Sequence, residues 1–333
     1  MKQILMIGTG GTIASKAMVG GFSPQLSAEE MLNFIPEIRR ICWVDSVQIC
    51  NLDSTNVFPE HWLLMARTIR ENYEKYDGFV LCHGTDTMAY TAAALSYLIP
   101  DSPKPIVITG AQKPISMEIT DSKTNLYDSF LYACSETCGV QIVFGGKVIA
   151  GTRARKTRTK SFNAFSSINY PPLAMIQDGR LMQYISLPRA ATPVFYDRLN
   201  PKVALLKLIP GTDSDVLGFL LERNDAVIVE SFGVGGLPSL EKCHFYEEIT
   251  RWTKQGRTVV MTTQVPNEGS DMAIYQVGQG LKERVNVLEA YDMTTEAAVA
   301  KLMWILGMTN ETDTIRRLFY TTVSNDILYH ETV

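Results

Sequence analysis

An alternation of two kinds of segment constrains this chain more than any other feature. Short apolar runs at residues 2–7, 45–52, 79–83, 105–109 and 141–144 are separated by stretches of helical periodicity. The runs are rich in Ile and Val and mostly apolar throughout, as in strands buried on both faces of a sheet. Helix starts between them are readable. Ser27-Ala28-Glu29-Glu30 forms a capping box, with Ser27 as N-cap and Glu30 three residues on. Pro59 suits the first turn of a helix that takes in residues 61–76. Residues 87–99 put Met88, Ala92, Leu95 and Ile99 on one face, and a further helix is expected after Asp121. Strand–helix alternation of this kind predicts an α/β fold, a doubly wound and mostly parallel sheet with helices on both sides.

At 333 residues the chain exceeds the size at which single cores stop growing, so two domains are expected. Residues 186–201 (SLPRAATPVFYDRLNP) carry three prolines and no periodicity, and they read as a linker. Residues 1–185 would form the larger N-terminal domain and 202–333 a smaller C-terminal α/β domain. The second domain repeats the alternation, with strands at 203–209, 226–230 and 258–262. One of its helices closes at Gly256, and a last one spans 295–306 with Ala298, Leu302 and Ile305 as its core stripe.

Charge and composition narrow the partners. A net charge of -4 argues against general binding to nucleic acid or to an anionic membrane. The stretch from Met1 to Gly8 has too few apolar residues for a signal-peptide core, and no run reaches the ~20 needed to span a bilayer. A cytoplasmic protein is therefore expected, with Cys42, Cys50, Cys82, Cys134, Cys138 and Cys243 as free thiols. Cys134 and Cys138 lie four apart in an expected helix, but no His or Cys stands at ligand spacing beside them. His61, His83, His244 and His330 are scattered. No metal is expected.

Two loops directly follow expected strands: Gly8-Thr9-Gly10-Gly11-Thr12-Ile13-Ala14-Ser15 and His83-Gly84-Thr85-Asp86-Thr87. Ligands of doubly wound sheets bind outside the carboxyl ends of the strands, where both loops would lie. A dinucleotide fingerprint would need glycine at position 13, which is Ile13, and no phosphate-loop lysine follows. A tight turn explains Gly10 and Gly11 but not Thr12. N-capping of the next helix by Asp86 or Thr87 explains one residue of the second loop, not three. A threonine nucleophile requires a base. His83 is one candidate, though its place in the strand can turn it into the core. A lysine is another, and the segment Thr152-Arg153-Ala154-Arg155-Lys156-Thr157-Arg158-Thr159-Lys160 offers one, unless it is simply a solvated basic loop.

With these residues in view, the chain resembles the bacterial-type L-asparaginase family over essentially its whole length. Thr9-Gly10-Gly11-Thr12-Ile13-Ala14-Ser15 and His83-Gly84-Thr85-Asp86-Thr87 match that family's two signatures, in order and separation. Asp53-Ser54-Thr55 looks like its substrate-anchoring loop. Lys156-Thr157 looks like its catalytic lysine segment, followed by Ser167-Ile168-Asn169-Tyr170-Pro171. In the second half, Gly233-Val234-Gly235-Gly236-Leu237-Pro238, Thr262-Thr263-Gln264 and Asp292-Met293-Thr294-Thr295-Glu296-Ala297 are similar to family segments.

The resemblance implies hydrolysis of L-asparagine to L-aspartate and ammonia without a cofactor. Thr12 would be the nucleophile and form a β-aspartyl ester. Thr85, Asp86 and Lys156 would form a second cluster, with Lys156 taking a proton from Thr85 or from a water that it holds. Asp86 would also bind the substrate's ammonium, Ser54 its carboxylate, and Asp53 and Thr55 would bind substrate beside Ser54 in the anchoring loop. Family members place a tyrosine in the segment after the first signature; here Phe22 stands in its place within Gly20-Gly21-Phe22-Ser23-Pro24, read as a lid. Phenylalanine can cover a substrate but cannot make the phenol's hydrogen bond. Thr55, where secreted relatives often have glutamine, favours the cytoplasmic type, which resembles homodimers or homotetramers. Alternatives are a mixed glutaminase-asparaginase and an asparagine sensor without turnover. An asparaginase-like subunit of a tRNA-dependent amidotransferase would need further domains that 333 residues leave no room for.

Overall fold

A computed structural model describes residues 1–18, 21–240, 243–274, 285 and 287–329, with the side chains of 16–24 outside that description. The chain divides into two compact units, Met1–Asp197 and Arg198–Val333. Residues 186–197 belong to the first. In that stretch the Tyr196 N–H donates to the Leu98 carbonyl at 2.8 Å, and Phe195 packs edge-on against Tyr73.

In the first unit the order along the chain is β1 (Gln3–Gly10), a hairpin of β2 (Ser15–Met18) and β3 (Gly21–Pro24), α1 (Ala28–Leu32), β4 (Trp43–Leu52) and α2 (Pro59–Asn72). There follow β5 (Gly78–Cys82), α3 (Met88–Leu98), β6 (Pro105–Thr109), α4 (Ser122–Ala133), β7 (Gly139–Phe144) and β8 (Lys147–Ala150). A second hairpin, β9 (Ala154–Lys156) and β10 (Phe165–Ser167), precedes β11 (Ala174–Gln177) and β12 (Arg180–Gln183). Among the described residues one eight-stranded sheet runs in the order β12-β11-β8-β7-β6-β5-β1-β4. Strands β4, β1, β5, β6 and β7 are parallel, as expected; β8, β11 and β12 extend the sheet antiparallel.

Burial explains the central strands. Ile4, Met6, Val80, Cys82 and Val107 face Leu126 and Phe130 of α4, while Leu5, Ile7, Phe79, Leu81, Ile106 and Ile108 are equally buried on the opposite face. Each such side chain contributes about 1.5–3 kcal/mol when removed from water. Strand β4 departs from the expectation of two buried faces. It is an edge strand with β1 as its one neighbour in the sheet, none of its residues is fully buried, and Trp43 is 66% exposed. The expected common helix for Cys134 and Cys138 is also corrected: α4 ends at Ala133, Cys134 is its C-cap, and Cys138 lies in the following loop. All six cysteines are free.

Among its described residues the second unit has a four-stranded parallel sheet, β13 (Val203–Lys207), β14 (Ala226–Ser231), β15 (Thr258–Thr263) and β16 (Val287–Glu289), in that order. Helices α5 (Ser214–Arg223), α6 (Phe245–Lys254), α7 (Thr295–Leu306) and α8 (Thr312–Tyr320) accompany it. Gly256 follows the end of α6 with φ 81°, the left-handed C-terminal stop expected of it. No helix among the described residues is long and apolar enough to cross a membrane.

Candidate active site

Sheet order creates the site. From β1 the chain moves outward to β4 and then returns across β1 to β5 on its other side. The strand order reverses there, so the loops after β1 and β5 leave in opposite directions and open a crevice at the carboxyl ends. Three loops meet at that point. A Cβ on Gly11 would fall 2.5 Å from Gly84 Cα, and one on Gly84 would fall 2.6 Å from Ser54 Cβ. Glycine is required at both positions because a Cβ at 11 would strike the Gly84 main chain and one at 84 the Ser54 side chain, and Gly11 also has φ 79°. The Gly11 N–H donates to the Leu52 carbonyl at 2.8 Å, which ties the first loop to the end of β4.

Thr12 opens a short 3-10 turn, Thr12–Ala14, on the first loop and is half-buried. Below it the Thr9 hydroxyl donates to the Cys82 carbonyl at 2.8 Å, and Ser15 Oγ donates to the Gly11 carbonyl at 3.1 Å. The capping reading of the second loop does not hold. Thr87 is the N-cap of α3 but makes no side-chain cap bond; its hydroxyl donates to the Ser54 carbonyl at 2.8 Å. The Asp86 N–H donates to Ser54 Oγ at 3.2 Å, so the buried Ser54 hydroxyl retains its own proton to donate. Asp53 Oδ1 accepts from the Thr55 N–H at 2.9 Å and from the Thr55 hydroxyl at 2.7 Å. Asp53 and Thr55 are exposed and satisfy each other at the start of a 3-10 turn.

Lys156 completes the cluster. It ends β9, whose partner β10 pairs Phe165 with it. Its Nζ donates to Thr85 Oγ1 at 2.7 Å and to Asp86 Oδ1 at 2.7 Å. The lysine side chain is 16% exposed and that of Asp86 56%, so the pair faces the crevice with the carboxylate at its mouth. The neighbouring Arg153 is fully buried and lies 5.6 Å from the centre of the Tyr170 ring; at this position the basic segment is not a solvated loop.

His83 is excluded as the base by its surroundings. It is fully buried, and burial pushes its pKa down to about 4 although its bond to the Gly84 carbonyl acts the other way. The Trp62 Nε1–H donates to Thr91 Oγ1 at 2.9 Å, and Thr91 lies 3.0 Å from His83 Nε2. His83 Nδ1 is 2.7 Å from the Gly84 carbonyl. That carbonyl can only accept, so the proton is on Nδ1, and Nε2 accepts the Thr91 hydroxyl proton. This relay of three side chains fixes the second loop from beneath.

The close approach of these loops and the Thr85–Lys156–Asp86 contact gather hydroxyl, amine and carboxylate at one carboxyl edge of the sheet. Residues 3–188 match the family described as asparaginase, N-terminal, and residues 202–319 match the glutaminase/asparaginase C-terminal domain. The chain belongs to the asparaginase family. It is 37% identical to an L-asparaginase from Thermococcus kodakarensis over 98% of this chain and 99% of that protein. The solved structure of the thermostable L-asparaginase from that organism covers 98% of this chain and 100% of its own, with a TM-score of 0.93 and 35% identity. One subunit of the glutamyl-tRNA(Gln) amidotransferase from Pyrococcus horikoshii is 32% identical over 98% of this chain and 77% of its own length.

In this asparaginase-family site Thr85, Asp86, Lys156 and Ser54 are brought together, and the contacts of Gly11 bring in the loop of Thr12. Phe22 falls on β3, opposite Ala17 of β2 in the pairing register, and its side chain lies outside the described residues. Sequence reasoning missed Gln112. Thr85 Oγ1 donates to Gln112 Oε1 at 3.3 Å, and Gln112 stands after β6, at the same carboxyl edge as the two signature loops. Its place after an apolar strand was the available signal.

Proposed function

We propose that the protein hydrolyses L-asparagine to L-aspartate and ammonia, with Thr12 as nucleophile. The observation that carries this reading is the double contact of Lys156 Nζ with Thr85 and Asp86 beside the loop of Thr12. Thr12 Oγ1 attacks the side-chain amide carbon, the C–N bond breaks, and protonated nitrogen leaves as ammonia. A β-aspartyl ester remains. Water then attacks the ester carbon, Thr12 regains its proton, and aspartate is released. Lys156 and Thr85 form the proton path in both halves. Asp86 keeps one carboxylate oxygen for the substrate's ammonium, and the Ser54 hydroxyl donates to its carboxylate. Asp53 and Thr55 hold the anchoring loop in shape, and Phe22 covers the substrate without taking part in proton transfer. Main-chain N–H groups at the carboxyl edge stabilise the oxyanion.

The free state of all six thiols supports a reducing, cytoplasmic setting. We infer a homodimer or homotetramer that needs neither metal nor organic cofactor. Glutamine is one methylene longer, a difference worth only about 1–3 kcal/mol in a pocket, so weaker glutaminase activity accompanies the main one. The test is ammonia release from asparagine and from glutamine, with Thr12→Ala as control. Turnover of asparagine that disappears in Thr12→Ala is expected. A protein that binds asparagine but releases no ammonia is a sensor, and the reading is then wrong.

A further inference from the structure

We propose that Gln112 is a positioning residue that sets the direction of the Thr85 hydroxyl and couples it to the segment carrying Lys156. The inference rests on the reading of the site given above. Thr85 Oγ1 has one proton and two lone pairs. It accepts from Lys156 Nζ at 2.7 Å and sends its own proton to Gln112 Oε1 at 3.3 Å. The other end of the amide, Nε2, donates to the Ser161 carbonyl at 3.2 Å. Ser161 lies between β9 and β10, five residues beyond Lys156. Because the Ser161 carbonyl can only accept, the amide cannot flip without setting two oxygens against each other, and Oε1 stays turned to Thr85.

The root of Gln112 is fixed as well as its tip. Its N–H donates to both oxygens of the Asp121 carboxylate, at 3.1 and 2.9 Å, and the Lys113 N–H donates to the same group at 3.1 Å. Asp121 is itself buried and accepts from Asn125 Nδ2 at 3.1 Å. One amide side chain thus joins the ends of β6, β5 and β9.

The length of the Thr85–Gln112 bond matters. At 3.3 Å it is longer than the usual 2.5–3.0 Å range for an O–H donor to oxygen, so it directs the proton without trapping it. For Lys156 to take the Thr85 proton, the hydroxyl must leave Gln112 and turn to Nζ. A neutral acceptor permits that rotation. A carboxylate would hold the proton roughly twice as strongly and would repel the Ser161 carbonyl.

Two variants test the role, with asparagine as substrate and ammonia as readout. Gln112→Leu keeps the bulk and the main-chain bonds to Asp121 but removes both side-chain bonds. It should lower kcat about ten- to a hundredfold and leave KM within about threefold, as a misplaced proton path does. Gln112→Glu resembles the amide while protonated and opposes the reaction once ionised, so its rate relative to wild type should fall as pH rises through the new carboxyl's titration. The charged groups around position 112 are Lys156 and Asp86 across Thr85, Asp121 at its N–H, and Lys113 beside it; all are common to variant and wild type. A Gln112→Leu kcat within threefold of wild type overturns the proposal. If that variant fails to fold, a Gln112→Glu profile parallel to wild type at every pH does so instead. The wild-type rate alone tests the reading of the site, and the ratio of variant to wild type tests the role of Gln112.

Discussion

Asp128→Asn should stabilise the protein at neutral pH and leave it unchanged near pH 4. Asp128 lies on α4 with 5% exposure, and burial alone pushes its pKa up from 3.8 to about 6. A carboxyl raised in this way binds more protons folded than unfolded between those two values. Stability from this group is therefore present below 3.8 and lost as pH rises through 6. The shift of about two units corresponds to roughly 3 kcal/mol at pH 7. His83 works in the opposite sense over nearly the same window. Its pKa falls from 6.5 to about 4, so the unfolded chain binds more protons, and stability is lost as pH drops from 6.5 through 4, again by roughly 3 kcal/mol. In the wild type these two contributions nearly cancel, and the pH dependence of either group is hidden. Asparagine at 128 removes one and exposes the other. Urea unfolding of both proteins at pH 7.5, 6, 5 and 4 reads the difference directly, because every other carboxylate is common to the pair. The variant should lead by roughly 2–3 kcal/mol at pH 7.5, and the lead should vanish by pH 4. A constant difference across the series, or a less stable variant at pH 7.5, would refute the argument from burial.

Two further outcomes follow from particular contacts. Lys301 and Asp326 form an ion pair at 2.6 Å with both side chains fully buried, so Asp326→Asn should cost about 3–5 kcal/mol by removing a buried countercharge of Lys301. Replacing both with apolar residues should recover most of that loss in the same denaturation assay, and a single-variant cost below about 1 kcal/mol would count against the pair. Gly11→Ala places a Cβ against the main chain of Gly84 at a positive φ. At least a tenfold fall in ammonia release is expected from the displaced loops, and wild-type activity would show that the close approach is not needed.

Much of the fold was legible because local signals and burial agree. The Ser27–Glu30 capping box is present, with Ser27 Oγ accepting the Glu30 N–H at 3.1 Å and Glu30 accepting the Ser27 N–H at 2.7 Å. Strand Pro105–Thr109 and helix Thr295–Leu306 fall on the residues that periodicity gave them. The antiparallel part of the sheet was missed. Strands β8, β11 and β12 have four residues each, too few to display a period. Their turns did carry a signal: Gly145-Gly146 and Asp178-Gly179 all have positive φ, the chemistry of two-residue hairpin turns. Edge strand β4 was misread because apolar content reports burial only when neighbours exist on both sides.

By itself the sequence determined the doubly wound architecture and the two threonine loops at strand ends, since apolar period, glycine turns and caps act over a few residues. The lysine beside these loops was a different matter. Lys156 is 71 residues from Thr85, and composition alone favoured reading its segment as a solvated loop. Only the β9–β10 hairpin and the sheet order bring its amine to the crevice. Burial likewise decided that His83, adjacent in sequence to the second threonine loop, turns inward to Thr91 and serves as a neutral support. Gln112 joined the site because β6 lies beside β5. Contacts over such separations depend on which strands become neighbours and which face each side chain takes. Packing of the whole unit sets both, and no short window of residues contains that information.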